Sequence, residues 1–101
     1  MKNLNLVVLQ ARMSSTRLPG KVMSQINGHP MIYWEISRIS KAKLVNKTVV
    51  AISDQSSDDI LANYLESIHQ EYIRGSLDNV LGRYVKAEEN YHPSAIIRLT
   101  A

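Results

Sequence analysis

The stretch LNLVVLQARMSSTRLPGK, residues 4–21, joins an apolar run to a loop of small and basic residues. The run at 4–10 is built mainly of leucine and valine, which is typical of a strand buried on both faces of a parallel sheet. The loop that follows it contains Arg12, Arg17 and Lys21 and no acidic residue. This acid-free cluster of cations, directly after a buried strand, predicts a site for a compact anion such as a nucleotide phosphate.

The rest of the chain alternates strand-like and helix-like patterns. Further strands are predicted at 47–53, 71–75 and 94–100, and helices at 29–43, 53–69 and 76–91. The order βαβαβαβ implies a parallel sheet with helices on both faces and right-handed crossovers. We therefore predict an α/β, three-layer Rossmann-like fold with strand order 3-2-1-4 and the last strand at an edge.

Apolar residues at helical spacing predict the inward faces of the three helices. They are Ile32, Ile36 and Ile39 in the first helix, Ile60, Leu61, Tyr64, Leu65 and Ile68 in the second, and Val80, Leu81, Tyr84 and Val85 in the third. Tyr33 and Trp34 of the first helix are also predicted to pack in the core.

The position of the basic loop agrees with its charge. Ligands of open parallel sheets bind beyond the carboxyl ends of the strands, and the loop leaves the carboxyl end of the first strand. Hydroxyl groups of Ser14, Ser15 and Thr16 can donate to phosphate oxygens. Glycine spacings of the Walker and Rossmann motifs are absent. The alternative is a solvated loop whose cations pair with acids elsewhere in the chain, and the lack of any acid within the loop weighs against it.

Composition excludes several classes of protein. The chain has 101 residues and a net charge of +3; three of its twelve cations lie in the loop, leaving nine cations against nine acids elsewhere. A local patch on a nearly neutral body does not predict nucleic-acid binding. There is no cysteine and no apolar run of membrane-spanning length, and the three histidines lack the spacing of zinc ligands. We expect a single cytoplasmic domain, residues 1–101, with no membrane or nucleic-acid partner.

The segment LQARMSSTRLPGKV resembles the signature of the sugar-activating cytidylyltransferases, in particular the spore-coat polysaccharide biosynthesis protein F type. It is also similar to the loop of the CMP-Kdo and CMP-sialate synthetases. The resemblance continues, in the family's order, through AKLV, VVAISD, IRGSLDNVLGRY and IIRLTA. It implies the nucleotide-diphosphosugar transferase fold. The implied activity is transfer of a nucleoside monophosphate from a nucleoside triphosphate, CTP in this family, to a sugar or sugar acid.

The resemblance also implies roles for individual residues. Arg12 and Lys21 match the cations that bind the triphosphate and stabilise the reaction, and Arg17 belongs to the same loop. The phosphate-cradling residues would be Ser14, Ser15 and Thr16, and the strand-to-loop corner near the nucleotide would be Gln10 and Ala11.

For five other positions the sequence leaves two interpretations open. Asp78 falls where related synthetases have an acid near the base, but it could equally cap the helix that follows. Ser53 and Asp54 end a strand at the same rim and could contact ligand or cap a helix. Arg83 and Arg98 could reach the site or form surface ion pairs.

The resemblance further implies a magnesium ion, whose aspartate ligand would directly follow Ala101, and a second half of the fold that holds the sugar. We therefore expect the chain to be the amino-terminal, nucleotide-binding part of such an enzyme. The alternative is a non-catalytic nucleotide-binding or assembly module. Because the predicted edge strand SAIIRLT is apolar, with one charge, we also expect a homodimer.

Overall fold

The computed structural model describes residues 5–14, 19–76 and 80–101. The elements run in the order β1 (Asn5–Gln10), β2 (Gln25–Ile26), β3 (His29–Pro30), α1 (Met31–Ser40), β4 (Lys47–Ser53), α2 (Asp59–Ser67), β5 (Tyr72–Gly75), α3 (Val80–Tyr91) and β6 (Ala95–Thr100). Short 3₁₀ turns lie at Lys21–Met23 and Ser56–Asp58.

The main sheet has four parallel strands in the order β5-β4-β1-β6. This arrangement confirms the predicted order, with the last strand at an edge of the described sheet. The central strand β1 is paired on both sides, so that Val8 lies opposite Val49 of β4 and Arg98 of β6. Its leucines and valines are buried, as the continuous apolar run predicted.

Helices cover both faces of the sheet, so the predicted three-layer α/β/α architecture is confirmed. On one face, Leu9 and Ile52 form a core with residues of α1 and α2, among them Ile32, Leu61 and Leu65. The opposite face is closed by α3. There the fully buried Ala87 joins a second core with apolar residues of β1, β4 and β5, namely Leu6, Val8, Val49, Ala51 and Ile73.

Three predicted inward-facing residues are instead exposed. Ile60 is 55% exposed, Val85 is 49% exposed and Ile68 follows the last residue of α2. In α2 and α3 the buried position two residues after the exposed one belongs to an alanine, Ala62 or Ala87. Since two residues on a helix are about 200° apart, Ile60 and Val85 point away from the sheet. A small side chain at the inner position allows close approach of helix and strands.

A two-stranded hairpin, β2–β3, was not predicted and precedes α1. Its turn residues Asn27 and Gly28 both have positive φ, 48° and 84°. This is the backbone conformation that two-residue hairpin turns require and that Asn-Gly favours. The hairpin takes up the first residues of the helix predicted at 29–43, so α1 begins only at Met31.

None of the helices in the described ranges combines the length and the apolar character that crossing a membrane would require.

Candidate nucleotide-binding site

At the carboxyl end of β1, the start of the basic loop is hydrogen-bonded to the neighbouring strand β4 and to the residue that follows β6. The Ala11 amide donates to the Ala51 carbonyl of β4 at 3.0 Å, and the Gln10 carbonyl accepts from the Ala101 amide beyond β6 at 2.9 Å. Gln10 and Ala11 are buried, with 7% and 4% exposure. They therefore form the strand-to-loop corner that the sequence predicted, and they bring backbone rather than exposed side chains to it.

The loop is closed on itself at its base. The Met13 carbonyl accepts from the Gly20 amide at 2.7 Å, and the Gly20 carbonyl accepts from the Met23 amide at 3.0 Å. Gly20 has a φ of 76°, a left-handed conformation that glycine adopts without steric cost. Gly20 directly precedes the 3₁₀ turn that begins at Lys21. The hydrogen bond between the Gly20 amide and the Met13 carbonyl therefore fixes the backbone position from which Lys21 leaves the loop.

The predicted loop residues are only partly within the described structure. Arg12 and Lys21 are exposed at the two ends of the loop, and Ser14 is half-buried. Three further candidates, Ser15, Thr16 and Arg17, lie outside the described residues, as does Asp78. The ion pairs seen among the described residues, Lys47–Glu71 and Arg74–Asp59, involve neither Arg12 nor Lys21.

Asp58 anchors the start of the loop and was missed by the sequence analysis. Its carboxylate is fully buried and accepts three hydrogen bonds. The donors are the Met13 amide at 2.7 Å, the Ser53 amide at 2.9 Å and the Ser53 hydroxyl at 2.6 Å. The neighbouring Asp59 is exposed and pairs with Arg74 at 3.0 Å. Nothing in the dipeptide Asp58-Asp59 distinguishes the buried carboxylate from the surface one.

A cavity of about 650 Å³ opens beside the loop. Leu9 of β1 and Leu99 of β6 line it from the sheet, Trp34 and Glu35 from α1, and Lys21 from the loop. From β1 the chain proceeds to β4 and β5 on one side of the sheet and then crosses over to β6 on the other. The cavity therefore lies at the topological switch point, where open α/β sheets bind their ligands.

Glu35 is an acidic residue that interacts electrostatically with Lys21 of the basic loop. Burial raises the pKa of its carboxyl group, while the positive charges of Lys21 and Arg38 partly lower it. The positive charge of Lys21 therefore interacts with a half-buried carboxyl group that lines the same cavity, although the loop itself contains no acidic residue. An anionic ligand at Lys21 would share that cation with Glu35.

Ser53 and Asp54 do lie at the same rim as the loop, at the end of β4. The Ser53 hydroxyl is fully buried and donates to Asp58, so it faces the protein interior. Asp54 is exposed, and its amide donates to the Gly75 carbonyl at 2.8 Å. Neither residue caps α2, which begins at Asp59.

The prediction that Tyr33 and Trp34 pack in the core is wrong. Both are half-buried, and Trp34 lines the cavity while its indole N–H donates to the Ile26 carbonyl at 2.7 Å. The Tyr33 ring stacks on the exposed His29 ring, with centroids 4.0 Å apart. The hairpin explains the difference, because it places a polar carbonyl and an imidazole beside α1.

The two arginines that the sequence analysis considered, Arg83 and Arg98, are described by the structure to different extents. Arg98 is exposed in β6 and lies opposite Val8 of β1, two residues before the end of each strand. Of Arg83, only the position in α3 is described.

Within the described ranges no three metal-binding side chains come together.

Comparison with known proteins decides the family. A model of the cytidylyltransferase family matches residues 6–101. The chain belongs to this family. The spore coat polysaccharide biosynthesis protein SpsF of Bacillus subtilis is 39% identical over 99 residues, which cover 94% of this chain and 41% of that protein.

Solved cytidylyltransferase structures show the same fold. A cytidylyltransferase from Leptospira borgpetersenii superposes with a TM-score of 0.88 at 28% identity, over 98% of this chain and 42% of the other. A CMP:2-keto-3-deoxy-manno-octonic acid synthetase complexed with CTP gives a TM-score of 0.79 at 25% identity, over 97% of this chain and 40% of the other. The chain thus spans about two-fifths of the length of these relatives.

Proposed function

We propose that this chain provides the nucleotide-binding part of a cytidylyltransferase that transfers CMP from CTP to a sugar or sugar acid. The product would be an activated sugar for cell-surface polysaccharide synthesis. The observation that carries the proposal is the acid-free basic loop, held at the carboxyl end of β1 beside a cavity at the switch point. Membership of the cytidylyltransferase family and the likeness to a synthetase complexed with CTP support it.

In the proposed reaction, a hydroxyl oxygen of the sugar attacks the α-phosphorus of CTP. The new bond joins that oxygen to the α-phosphorus, and the bond from the α-phosphorus to the bridging oxygen of the β-phosphate breaks. Pyrophosphate leaves, and the hydroxyl proton passes to solvent. Donors placed where negative charge develops are the usual source of catalysis in such transfers.

Arg12 and Lys21 are the residues of the described loop that fit this task. Both are exposed and lie at opposite ends of a closed loop, where they can bind different parts of one triphosphate. Arginine offers forked donors to phosphate oxygens and lysine a compact charge. Hydroxyl and amide donors of Ser14, Ser15, Thr16 and Arg17 complete the proposed cradle. Asp78 is proposed to lie near the base, where an acid can accept from an amino group.

The family's magnesium would supply charge neutralisation at the triphosphate. The described residues contain no group of three or more His, Cys, Asp or Glu side chains that could hold this ion.

Binding and turnover test the proposal separately. We expect calorimetry to detect binding of CTP, and weaker binding of GTP at the same ionic strength. Pyrophosphate release on addition of a sugar acid and magnesium would support the transferase. Because the sugar is expected to bind to a second half of the fold, binding of CTP without release by this chain alone fits both candidates, and only the absence of release in a protein of the relatives' full length would support a non-catalytic module. Failure to bind any nucleoside triphosphate would contradict both.

A further inference from the structure

We propose that Asp58 is a positioning residue that fixes the start of the nucleotide-binding loop, residues 12–14, before the nucleotide arrives. The inference rests on the proposed function, because it assigns a purpose to the geometry of that loop. Asp58 lies in the 3₁₀ turn before α2, far along the chain from the loop it contacts.

The burial of Asp58 requires that its carboxyl oxygens be satisfied. Asp58 is fully buried, and a buried carboxylate is costly unless its oxygens are satisfied by donors. Here Oδ1 accepts from the Met13 amide, and Oδ2 accepts from the amide and the hydroxyl of Ser53. Hydrogen bonds to an ionised group are shorter and stronger than neutral ones. The carboxylate therefore ties the start of the loop to the end of β4.

Met13 is held by hydrogen bonds on both sides of its Cα. Its amide is held by Asp58 and its carbonyl by Gly20, so the peptide groups on both sides of its Cα are fixed. Arg12 and Ser14 are its direct neighbours in the chain. Fixing Met13 thus constrains where both of these predicted phosphate ligands leave the backbone. Residues that are held in place in advance do not lose that conformational entropy again when the ligand binds.

The three hydrogen bonds of Asp58 have two different roles. Ser53 makes two of the three hydrogen bonds, and these hold Asp58 itself to β4. Among the described residues, it is the bond to Met13 that reaches the loop. A Ser53→Ala substitution removes one donor to the same carboxylate but leaves the Met13 contact available, which makes it a matched control.

Three variants test the proposal. Asp58→Asn can keep an acceptor near Met13 but presents an amide N–H₂ group to the Ser53 donors, and Asp58→Ala loses all three bonds. We expect Asp58→Ala to weaken CTP binding about tenfold or more, as the loss of the anchoring hydrogen bonds implies, Asp58→Asn to weaken it less, and Ser53→Ala to weaken it only about twofold or less. Folded variants of Asp58 that bind CTP as tightly as the unmodified chain would overturn the proposal.

Hydrogen exchange tests the anchor without nucleotide and without a variant. We expect the Met13 amide of the nucleotide-free chain to exchange far more slowly than a free amide, and to lose that protection in Asp58→Ala, which has no side-chain acceptor. Free exchange of Met13 in the unmodified chain would overturn the proposal even if neither Asp58 variant folds. If the unmodified chain binds no CTP, the proposed function fails, and an unprotected Met13 amide would be the separate sign that the anchor fails too.

Discussion

Lys21 faces two competing anions, the carboxylate of Glu35 and the phosphate that we propose it binds. Burial disfavours the charged form of Glu35, and the neighbouring cations Lys21 and Arg38 favour it, with burial the larger effect. A raised carboxyl pKa in the folded state means that this group's contribution to stability falls as the pH rises above about 4.5. The site therefore carries a small electrostatic cost when empty at neutral pH.

Glu35→Gln should relieve that cost. We expect CTP to bind about two- to fivefold more tightly, because a partly exposed charge pair is worth only a fraction of a kcal/mol to about 1 kcal/mol. The melting temperature should rise at pH 7, and the gain should vanish below about pH 4, where Glu35 is protonated. Glu89→Gln, the same change on an exposed part of α3, is the control. Weaker CTP binding by Glu35→Gln would show that Glu35 helps the ligand instead.

At the scale of elements, the periodicity of the sequence was sufficient for the main sheet and insufficient for the parts around it. The strands of the main sheet are apolar runs between turn residues, so their positions and order could be predicted. The β2–β3 hairpin has strands of two residues and no periodicity, although Asn27-Gly28 is a recognisable hairpin signal. Ile60 and Val85 were misplaced because their hydrophobicity was given more weight than the smaller Ala62 and Ala87.

The candidate site could be predicted only where its signal is local. The cations of the loop follow one another along the chain, and β1 places them at the carboxyl edge. Asp58 acts through a hydrogen bond to Met13, and Glu35 acts through its charge interaction with Lys21. No spacing in the sequence reveals such contacts, since they depend on how α1 and the turn before α2 pack on the sheet.

At the amino ends of the strands, a polar network joins β4, β5 and α3. Glu71, just before β5, accepts from Lys47 at the start of β4 and from Tyr91 at the end of α3. These hydrogen bonds lower the pKa of Glu71, while burial, with help from the bond to Glu71, raises the pKa of Tyr91 to about 12. The network therefore fastens α3 to the strands at neutral pH.

Glu71→Gln should lower the melting temperature at neutral pH. A lowered carboxyl pKa contributes stability above the unfolded pKa of about 4.5 and loses it as the pH falls. We therefore expect the difference from the unmodified chain to be largest near pH 7 and to shrink below about pH 4. Thermal unfolding followed by circular dichroism across this range measures it, with Asp54→Asn as the control. A difference independent of pH would contradict the assignment.

At the scale of the whole molecule, β6 leaves apolar surface open. Ile97 and Leu99 are 41% and 40% exposed, and β6 pairs with β1 alone among the described strands. An exposed apolar edge strand can pair with another chain, and two-fold dimers are the simplest closed result.

We therefore predict that the 101-residue chain self-associates through this edge. Sedimentation should show a dimer that Ile97→Lys converts to monomer, because a lysine on an edge strand opposes pairing. Val85→Lys, which changes a similarly exposed apolar residue on α3, should leave the dimer intact. A chain that stays monomeric at high concentration would contradict the prediction.

Calorimetric titration of CTP into charge-matched variants shows whether the loop after β1 binds the triphosphate of CTP. We expect Lys21→Ala and Arg12→Ala each to lose on the order of 1.5–3 kcal/mol of binding free energy, the usual value of a hydrogen bond to a charged group. Lys43→Ala, which removes an exposed cation before the amino end of β4, should bind like the unmodified chain. Equal CTP affinity in all three variants and the unmodified chain would contradict the account.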